Sequence, residues 1–396
     1  MLTDQSAVVV RATLPAVGAA IEEISGRFYD RIFAAHPGLL RDLFNRGNQA
    51  SGAQRQALAG SIAAFATHLA EHPYDRPDVM LSRIAHKHAS LGVRADQYPV
   101  VHEHLFAAIT EVLGDVLTPE VARAWNEVYW LMANALIAVE ARLYAEQGVI
   151  EGEAWREWEV VARTEETADV ASFLLSPADG NPAPAFKAGQ YVSVQVQLAD
   201  GARQIRQYSL TGAPDAATRS IAVKRVLGAD GSPDGEVSNH LHIHVRAGDR
   251  LRVSAPYGDL VLKADGAPLL LASAGIGCTP ILAMLVDLAA TGHPCPVTVV
   301  HADRSPETHP LRAMHKALTT KLPDATAHFW YERPSAGHRS GWADLTDVPV
   351  VPGTRAYLCG PLPFMRAMRT QLLDKGVAAA NVHYEVFGPD LWLAQS

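Results

Sequence analysis

The apolar residues of this 396-residue chain change their spacing near Gly148. Before that point they recur every three or four residues; after it they alternate. Ile21, Ile24, Phe28 and Ile32 sit at i, i+3, i+7 and i+11, which places them on one face of a helix. Leu58, Ile62, Phe65 and Leu69 form a second such stripe within Gln54 to Ala70. A shorter helix is expected over Val79 to His88, and two more over Pro99 to Leu113 and Pro119 to Tyr144. Each of the last two opens on a proline, whose missing N–H costs nothing in a first turn. Pro37, Gly47 and the stretch Asn48 to Gly52 punctuate the pattern. A set of helices with little strand is a packed all-α domain.

Gly148 to Gly152 reads as a linker. Beyond it, Trp158-Glu159-Val160-Val161 and Gln190 to Val196 alternate like half-buried strands. Short strands separated by Gly, Pro and Asp turns suggest an antiparallel β-barrel as far as Lys263. From Pro268 on, apolar strands alternate with helices, with Leu269 to Ala272, Val297 to His301, Ala327 to Tyr331 and Ala356 to Cys359 as the strands. That is a doubly wound α/β pattern with a parallel sheet. Three domains are expected: all-α over 1–147, antiparallel β-barrel over 148–264, and α/β doubly wound over 265–396.

Composition narrows the classes. Hydrophobic residues at 48% and charged residues at 19% belong to a folded chain. A net charge of -8 without a basic stripe speaks against nucleic acid. The three cysteines, Cys278, Cys295 and Cys359, have no CxxC spacing, which speaks against a disulfide framework or a zinc or iron–sulfur site. Met1-Leu2-Thr3-Asp4-Gln5 does not open a signal peptide, and no run reaches ~18 apolar residues. A cytoplasmic monomer with no integral membrane segment is expected.

Arg206-Gln207-Tyr208-Ser209-Leu210 joins a fixed cation, a phenol and a hydroxyl on one strand. Alternation sends Arg206 and Tyr208 to one face and Ser209 to the other. A flavin dinucleotide needs a cation for its pyrophosphate, a flat contact for its ring and a donor near N5. Gly235-Glu236-Val237-Ser238-Asn239 opens a helix, whose first N–H groups can bind phosphate. Gly275-Ile276-Gly277-Cys278-Thr279-Pro280 follows a buried strand, and Cys359-Gly360-Pro361 comes later. Glycines let the backbone approach a pyrophosphate, although Pro280 stands where the GxGxxG fingerprint has its third Gly. Cys278 reads as a space-filler or, less simply, a reactive thiol. These segments together resemble ferredoxin–NADP reductase-like proteins. The resemblance implies that Arg206, Tyr208 and Ser209 hold FAD, that Gly275 to Pro280 hold the nicotinamide pyrophosphate, that Cys359-Gly360-Pro361 lies by the hydride path, and that Phe387 covers part of the flavin.

Haem iron needs an imidazole facing an apolar slot. Leu81, Ile84 and Ala85 precede His88 by seven, four and three residues and share its helical face. His86 points about 160° away and is expected in solvent. The pairs and runs His102, His104 and His240, His242, His244 offer a second metal site only against the simpler reading of solvated faces.

The runs Phe28-Tyr29-Asp30-Arg31, Leu43-Phe44-Asn45, Asn48-Gln49, Gln54-Arg55, Lys87-His88, Gln97-Tyr98, Ala133-Asn134, Glu140 to Tyr144 and Tyr384 to Pro389 closely resemble the flavohaemoglobins over essentially the whole chain. The resemblance implies haem b, FAD and NADH or NADPH as cofactors. It implies His88 as the proximal iron ligand, Tyr29 and Gln54 as distal polar groups, and Tyr98 and Glu140 as a relay behind His88. Phe44, Leu58 and Lys87 would line the haem. Tyr191, Gln207, Gly235, Val237, Ser238, Val386, Gly388 and Pro389 join the FAD and nucleotide contacts, with Ile276, Gly277 and Thr279 in the pyrophosphate turn. Val386 replaces the cysteine of some members, and Leu227 to Pro233 is a longer turn than usual. The implied activity is nitric oxide dioxygenation: O2 and nitric oxide become nitrate at a haem re-reduced by NAD(P)H through FAD. The alternatives are an NAD(P)H-driven ferric, quinone or peroxide reductase, or a non-enzymatic gas sensor or store, which would need no reductase. Asp303 could bind a ribose 2′-hydroxyl, whereas Arg304 and Ser305 could hold a 2′-phosphate; the family leans towards NADH.

Overall fold

A computed structural model describes residues 2–72, 75, 77–150, 153–228, 233–333 and 337–388. The described residues divide into two compact units. One draws on 1–155, 197–205 and 388–396; the other on 156–196 and 206–387.

The first unit is helical: α1 Asp4–Ala35, α2 Pro37–Asp42, α3 Arg46–Ala50, α4 Ala53–Glu71, α5 Asp78–Leu91, α6 Gln97–Leu113 and α7 Pro119–Glu146. Thr3 and Thr118 cap α1 and α7 by accepting from Ser6 N and Val121 N, which satisfies N–H groups left unpaired at a helix start. Pro119 takes the first position of α7, as expected, and Pro99 the third of α6. Gly47, expected to break the pattern, lies inside α3, because Asn45 caps that short helix from Asn48 N. The predicted stripe is the core of this unit: Ile24, Phe28 and Ile32 are buried with Leu105, Ala108 and Ile109 of α6.

A six-stranded antiparallel sheet follows, built from β1 Trp155–Thr167, β2 Val170–Pro177, β3 Tyr191–Gln197, β4 Arg203–Ser209, β5 Arg219–Lys224 and β6 Arg250–Ser254 in the order β4-β3-β6-β1-β2-β5. The bridge Leu210–Ile221 joins its two edges, which makes it the expected barrel. β3 is not half-buried as its alternation predicts. Its polar positions are covered because Ser193 N donates to Ser254 Oγ, Gln207 Nε2 donates to Ser193 Oγ, and Arg252 Nη1 donates to Gln195 Oε1. Helix α8, Glu236–His244, lies between β5 and β6 in the chain.

The second sheet is parallel: β7 Leu269–Ala274, β8 Val297–Asp303, β9 Ala325–Tyr331, β10 Arg339–Ser340, β11 Arg355–Cys359 and β12 Val382–Glu385, in the order β10-β9-β8-β7-β11-β12. Helices α9 Cys278–Thr291, α10 Arg312–Lys321 and α11 Leu362–Asp374 connect them. The apolar runs β7 and β8 pack with α9 through Leu271, Ile281, Leu285 and Val299. The chain winds outward from β7 to β10, then returns to β11, so the topology reverses between β7 and β11. Ligands bind outside the carboxyl ends of strands at such a switch point. Cys359 pairs with Ser273 across it. The turns Gly275 to Pro280 and Cys359 to Pro361 therefore flank the same crevice. Among the described residues, no helix is long and apolar enough to cross a membrane.

Candidate functional site

His88 lies in the last turn of α5, and its Nδ1 is held from behind. Glu140 Oε1, on α7, lies 2.8 Å from that nitrogen, and Tyr98 Oη, on α6, lies 3.0 Å away. Tyr98 in turn donates to Glu140 Oε1 at 2.6 Å. A carboxylate only accepts, so the imidazole proton sits on Nδ1 and the Nε2 lone pair is left outward. Nε2 has no hydrogen-bond partner among the described residues. Glu140 is 2% exposed, although a lone glutamate on a helix reads as a solvated charge. Burial first, then the charge of Glu140 and the hydrogen bond to it, push the Tyr98 phenol far above its ordinary range. Leu81 and Ala85 are buried on the His88 face as expected. His86 departs from expectation: it is half-buried rather than in solvent, because α5 continues to Leu91 and packs on α7. Lys87 is likewise half-buried.

Tyr29 belongs to α1 and is 2% exposed. Burial pushes its phenol up to about 12, with the Gln54 and Gln49 side chains and the Arg55 charge pulling the other way. Phe44 meets the Tyr29 ring edge-on at 5.8 Å, and Phe44 and Leu58 pack on the same cluster. The structure thus gathers Tyr29, Phe44, Gln54 and Leu58. An apolar cavity lies beside them, lined by Ile24, Ile62, Phe65, Leu105, Trp125 and Met132. Gln49 has both amide atoms buried beside the Tyr29 phenol. An imidazole with a free Nε2, a buried phenol and an apolar surround form a donor set that fits haem.

In the barrel, Arg206, Gln207 and Tyr208 are half-buried on β4, and Ser209 is buried, so burial does not alternate along this run as the spacing predicts. Burial raises the Tyr208 phenol above its ordinary range. Tyr191 is buried and pairs with Tyr257. Gly235 is the N-cap of α8, and no side chain caps that end. Val237 is fully buried, while Ser238 Oγ accepts from Val226 N and donates to the Gly235 carbonyl. A cation, a phenol, a hydroxyl and an uncapped helix start fit a flavin dinucleotide.

At the switch point, Gly275 takes φ +54 and Gly277 N-caps α9, again without a side-chain cap. A Cβ on Gly277 would stand 2.4 Å from the Cys359 carbonyl oxygen, so the two turns touch backbone to backbone. Thr279 Oγ1 donates to the Ile276 carbonyl, and Pro280 sits in the first turn of α9. Cys278 and Cys359 are fully buried, and burial pushes both thiols up, which gives Cys278 the space-filling role. Gly360 is half-buried and Pro361 N-caps α11. Val386 is half-buried, and Phe387 and Gly388 are exposed; Pro389 lies outside the described residues, as do 229–232 of the Leu227 to Pro233 turn. Asp303 points inward: Oδ1 accepts from Thr308 Oγ1 at 2.6 Å and from Arg304 N at 2.7 Å. Ser305 is buried.

The histidines singled out by spacing form no group of three among the described residues, and only His240 and His244 meet, with ring centroids 5.1 Å apart. His102 pairs with Asn126 and stacks on Phe106, and His242 pairs with the Val223 carbonyl. Sequence reading missed another set, His301, His309 and His315, which are buried together. Their separations of eight and six residues follow no motif, and only the crossing of β8 with α10 brings them together. Burial lowers the pKa of all three below the usual imidazole range.

Residues 26–136 match the globin family, 157–262 the oxidoreductase FAD-binding domain and 271–370 the oxidoreductase NAD-binding domain. The flavohemoproteins of Chromobacterium violaceum and Bordetella pertussis are 42% and 43% identical to this chain. Both matches cover 98% of this chain, with 98% and 99% of the relatives. The crystal structure of flavohemoglobin from Malassezia yamatoensis, with bound FAD and haem, superposes with a TM-score of 0.90 at 38% identity, over 98% of this chain and 100% of that one. The flavohem-like FAD/NAD-binding domain of nitric oxide dioxygenase from Vibrio cholerae gives a TM-score of 0.56 at 36% identity, over 59% of this chain and 99% of that one.

Proposed function

The chain belongs to the flavohaemoprotein family, and on that premise we propose that it oxidises nitric oxide to nitrate with O2, at the expense of NAD(P)H. The observation that carries this reading is the convergence of His88 Nδ1 and Tyr98 Oη on the buried carboxylate of Glu140. Haem supplies, when bound, an iron centre for the two gases, and FAD divides the two electrons of a hydride into single steps.

His88 would hold the haem iron through Nε2. Glu140 accepts from the far N–H of that imidazole and makes it a stronger electron donor. Tyr98 fixes the same carboxylate oxygen by donating to it. A basic proximal ligand favours O2 activation over storage. On the distal side, burial keeps the Tyr29 phenol protonated, so it would offer a hydrogen-bond donor to the haem pocket, with Gln54 orienting it. Phe44, Leu58 and Lys87 border the haem. The apolar cavity behind Tyr29 admits small uncharged gases better than ions.

Arg206 binds the flavin pyrophosphate, Tyr208 and Tyr191 flank the ring system, and Gln207 and Ser209 offer polar contacts to it. The α8 start, Gly235 to Ser238, takes phosphate. Gly275 to Pro280 take the nicotinamide pyrophosphate, Cys359 to Pro361 border the hydride path, and Val386 to Pro389 close the flavin side. Three domains, 1–147, 148–264 and 265–396, carry these tasks, and the chain acts as a cytoplasmic monomer without a nucleic-acid partner. NADH is the favoured donor by family, while the inward turn of Asp303 leaves direct ribose selection by its carboxylate out of the proposal.

The test is aerobic nitric oxide consumption by protein loaded with haem and FAD, supplied with NADH and then NADPH, with nitrate counted against nitric oxide lost. Near one-for-one nitrate that depends on O2 and on the nucleotide is the expected result. Rapid NADH oxidation without nitric oxide loss would replace this reading with a ferric, quinone or peroxide reductase.

A further inference from the structure

The geometry points to a second metal site: His301, His309 and His315 bind a divalent, imidazole-preferring transition metal, Zn2+ foremost, inside the nucleotide-binding part of the chain. His301 lies at the carboxyl end of β8, His309 in the connection that follows, and His315 in the first turns of α10. The three are 0%, 2% and 0% exposed. One ring nitrogen from each lies within 4.8 Å of the others. Nothing in the proposed dioxygenase chemistry uses them.

Two of the three far nitrogens are already held. His301 Nδ1 lies 2.9 Å from Ser273 Oγ, and His309 Nδ1 lies 3.0 Å from Tyr331 Oη. Such partners fix ring orientation behind a ligating imidazole. The near nitrogens face one another: His309 Nε2 and His315 Nδ1 are 3.2 Å apart. Two nitrogens on a tetrahedral zinc, each at roughly 2.0–2.1 Å, stand about 3.3 Å apart. That spacing serves a shared ion as well as a hydrogen bond.

The remaining atoms favour the ion. His301 Nε2, His315 Nε2 and Asp303 Oδ2 are buried and lack hydrogen-bond partners. Asp303 Oδ2 lies 3.7 Å from His301 Nε2. Each neutral imidazole carries one N–H, so no arrangement of protons within this group satisfies all three atoms. A divalent cation gives the His301 Nε2 lone pair an acceptor and the buried Asp303 carboxylate a counter-charge, while His315 binds through the Nδ1 that meets His309. The His301 and His309 rings stack at 3.7 Å, so one must tilt for their lone pairs to converge. The site links β8 to α10 around Leu311, whose φ of +54 is the only positive value of a non-glycine residue among those described.

The experiment uses the full chain loaded with haem and FAD, exposed to Zn2+ and then passed over a weak chelating resin. Zinc is counted by elemental analysis, and its ligands are read by X-ray absorption at the zinc edge. About one zinc per chain should remain, with three imidazoles around it at roughly 2.0–2.1 Å. His309→Gln and His315→Gln, with FAD content as the check on folding, should each weaken zinc retention by about 10-fold or more. No retained zinc in the wild type, or equal retention in both variants, overturns the proposal and leaves a packed neutral histidine group. Should neither variant fold, the zinc-edge spectrum of the wild type decides alone: fewer than three imidazoles refutes the site.

Discussion

Glu140 Oε1 accepts two hydrogen bonds at once, from Tyr98 Oη at 2.6 Å and from His88 Nδ1 at 2.8 Å. Three helices, α5, α6 and α7, deliver these side chains to one point. The buried carboxylate draws the His88 proton to Nδ1 and presents Nε2 outward. Glu140→Gln keeps the shape and an accepting oxygen while removing the charge. Nitric oxide turnover should fall by about 10- to 100-fold, the usual effect of losing such a partner. The iron–histidine stretching frequency should drop with it, while flavin reduction by NADH in stopped flow stays unchanged. An unshifted stretch would take Glu140 out of the relay.

Tyr29→Phe removes the one buried phenol of the Tyr29, Phe44, Leu58 cluster. Loss of a hydrogen bond to partly charged oxygen should speed O2 dissociation by roughly 10-fold or more. Flash photolysis reads that rate directly, and an unchanged rate would exclude Tyr29 as the donor.

The same variant has an alkaline signature. Burial pushes Tyr29 up to about 12, above the ordinary value of 10.0. Between those pH values the unfolded chain releases the proton and the folded chain keeps it. Stability conferred by the neutral phenol is therefore full below pH 10 and is lost as pH rises towards 12. The loss runs at about 1.4 kcal/mol per pH unit for this group. Denaturant titrations across pH 9 to 11.5 should show a shallower decline for Tyr29→Phe than for the wild type.

Gly277→Ala tests the contact between the two nucleotide turns. Its Cβ would stand 2.4 Å from the Cys359 carbonyl oxygen, which no flexible side chain can relieve. Overpacking of this kind costs about 1–3 kcal/mol. The KM for NADH should rise steeply while FAD content holds. Gly275→Ala makes the matched comparison: nothing lies within 4 Å of its Cβ, so only the strain of φ +54 acts and the effect should be milder. Equal effects would show that the contact with Cys359 is unimportant.

Arg206→Ala should weaken FAD binding by about 10- to 100-fold, the scale of a charge-assisted hydrogen bond. Flavin released on dilution and gel filtration gives the number. A variant purified with full flavin occupancy would assign the pyrophosphate to other residues.

Periodicity carried most of the fold. Stripes such as Ile24, Phe28 and Ile32, and apolar runs such as Leu269 to Ala274, state which face is buried, so helices and parallel strands followed from spacing alone. β10 and β12 did not, because strands of two and four residues hold too few side chains for a pattern. The site was legible in part. His88 stood out by its apolar face, whereas burial along Arg206, Gln207 and Tyr208 does not alternate. Glu140 needed the resemblance, since nothing local separates a buried glutamate on α7 from a solvated one. Its partners lie 42 and 52 residues away. The His301, His309 and His315 group escaped for the same reason, as tertiary crossing and not sequence spacing brings it together.

The three cysteines should differ sharply in native reactivity. Cys278 and Cys359 are fully buried, and burial pushes both thiols up, so neither supplies a thiolate at neutral pH. Cys295 is half-buried, with its Sγ towards the Gly266 carbonyl at the edge of a turn. Reactivity follows thiolate character and access. One thiol per native chain should react quickly with a chromogenic disulfide, and Cys295→Ser should abolish that phase. In denaturant all three should react. A fast phase that survives in Cys295→Ser would show that the nucleotide crevice opens far enough to expose Cys278 or Cys359, and would make Cys278 a reactive thiol rather than a space-filler.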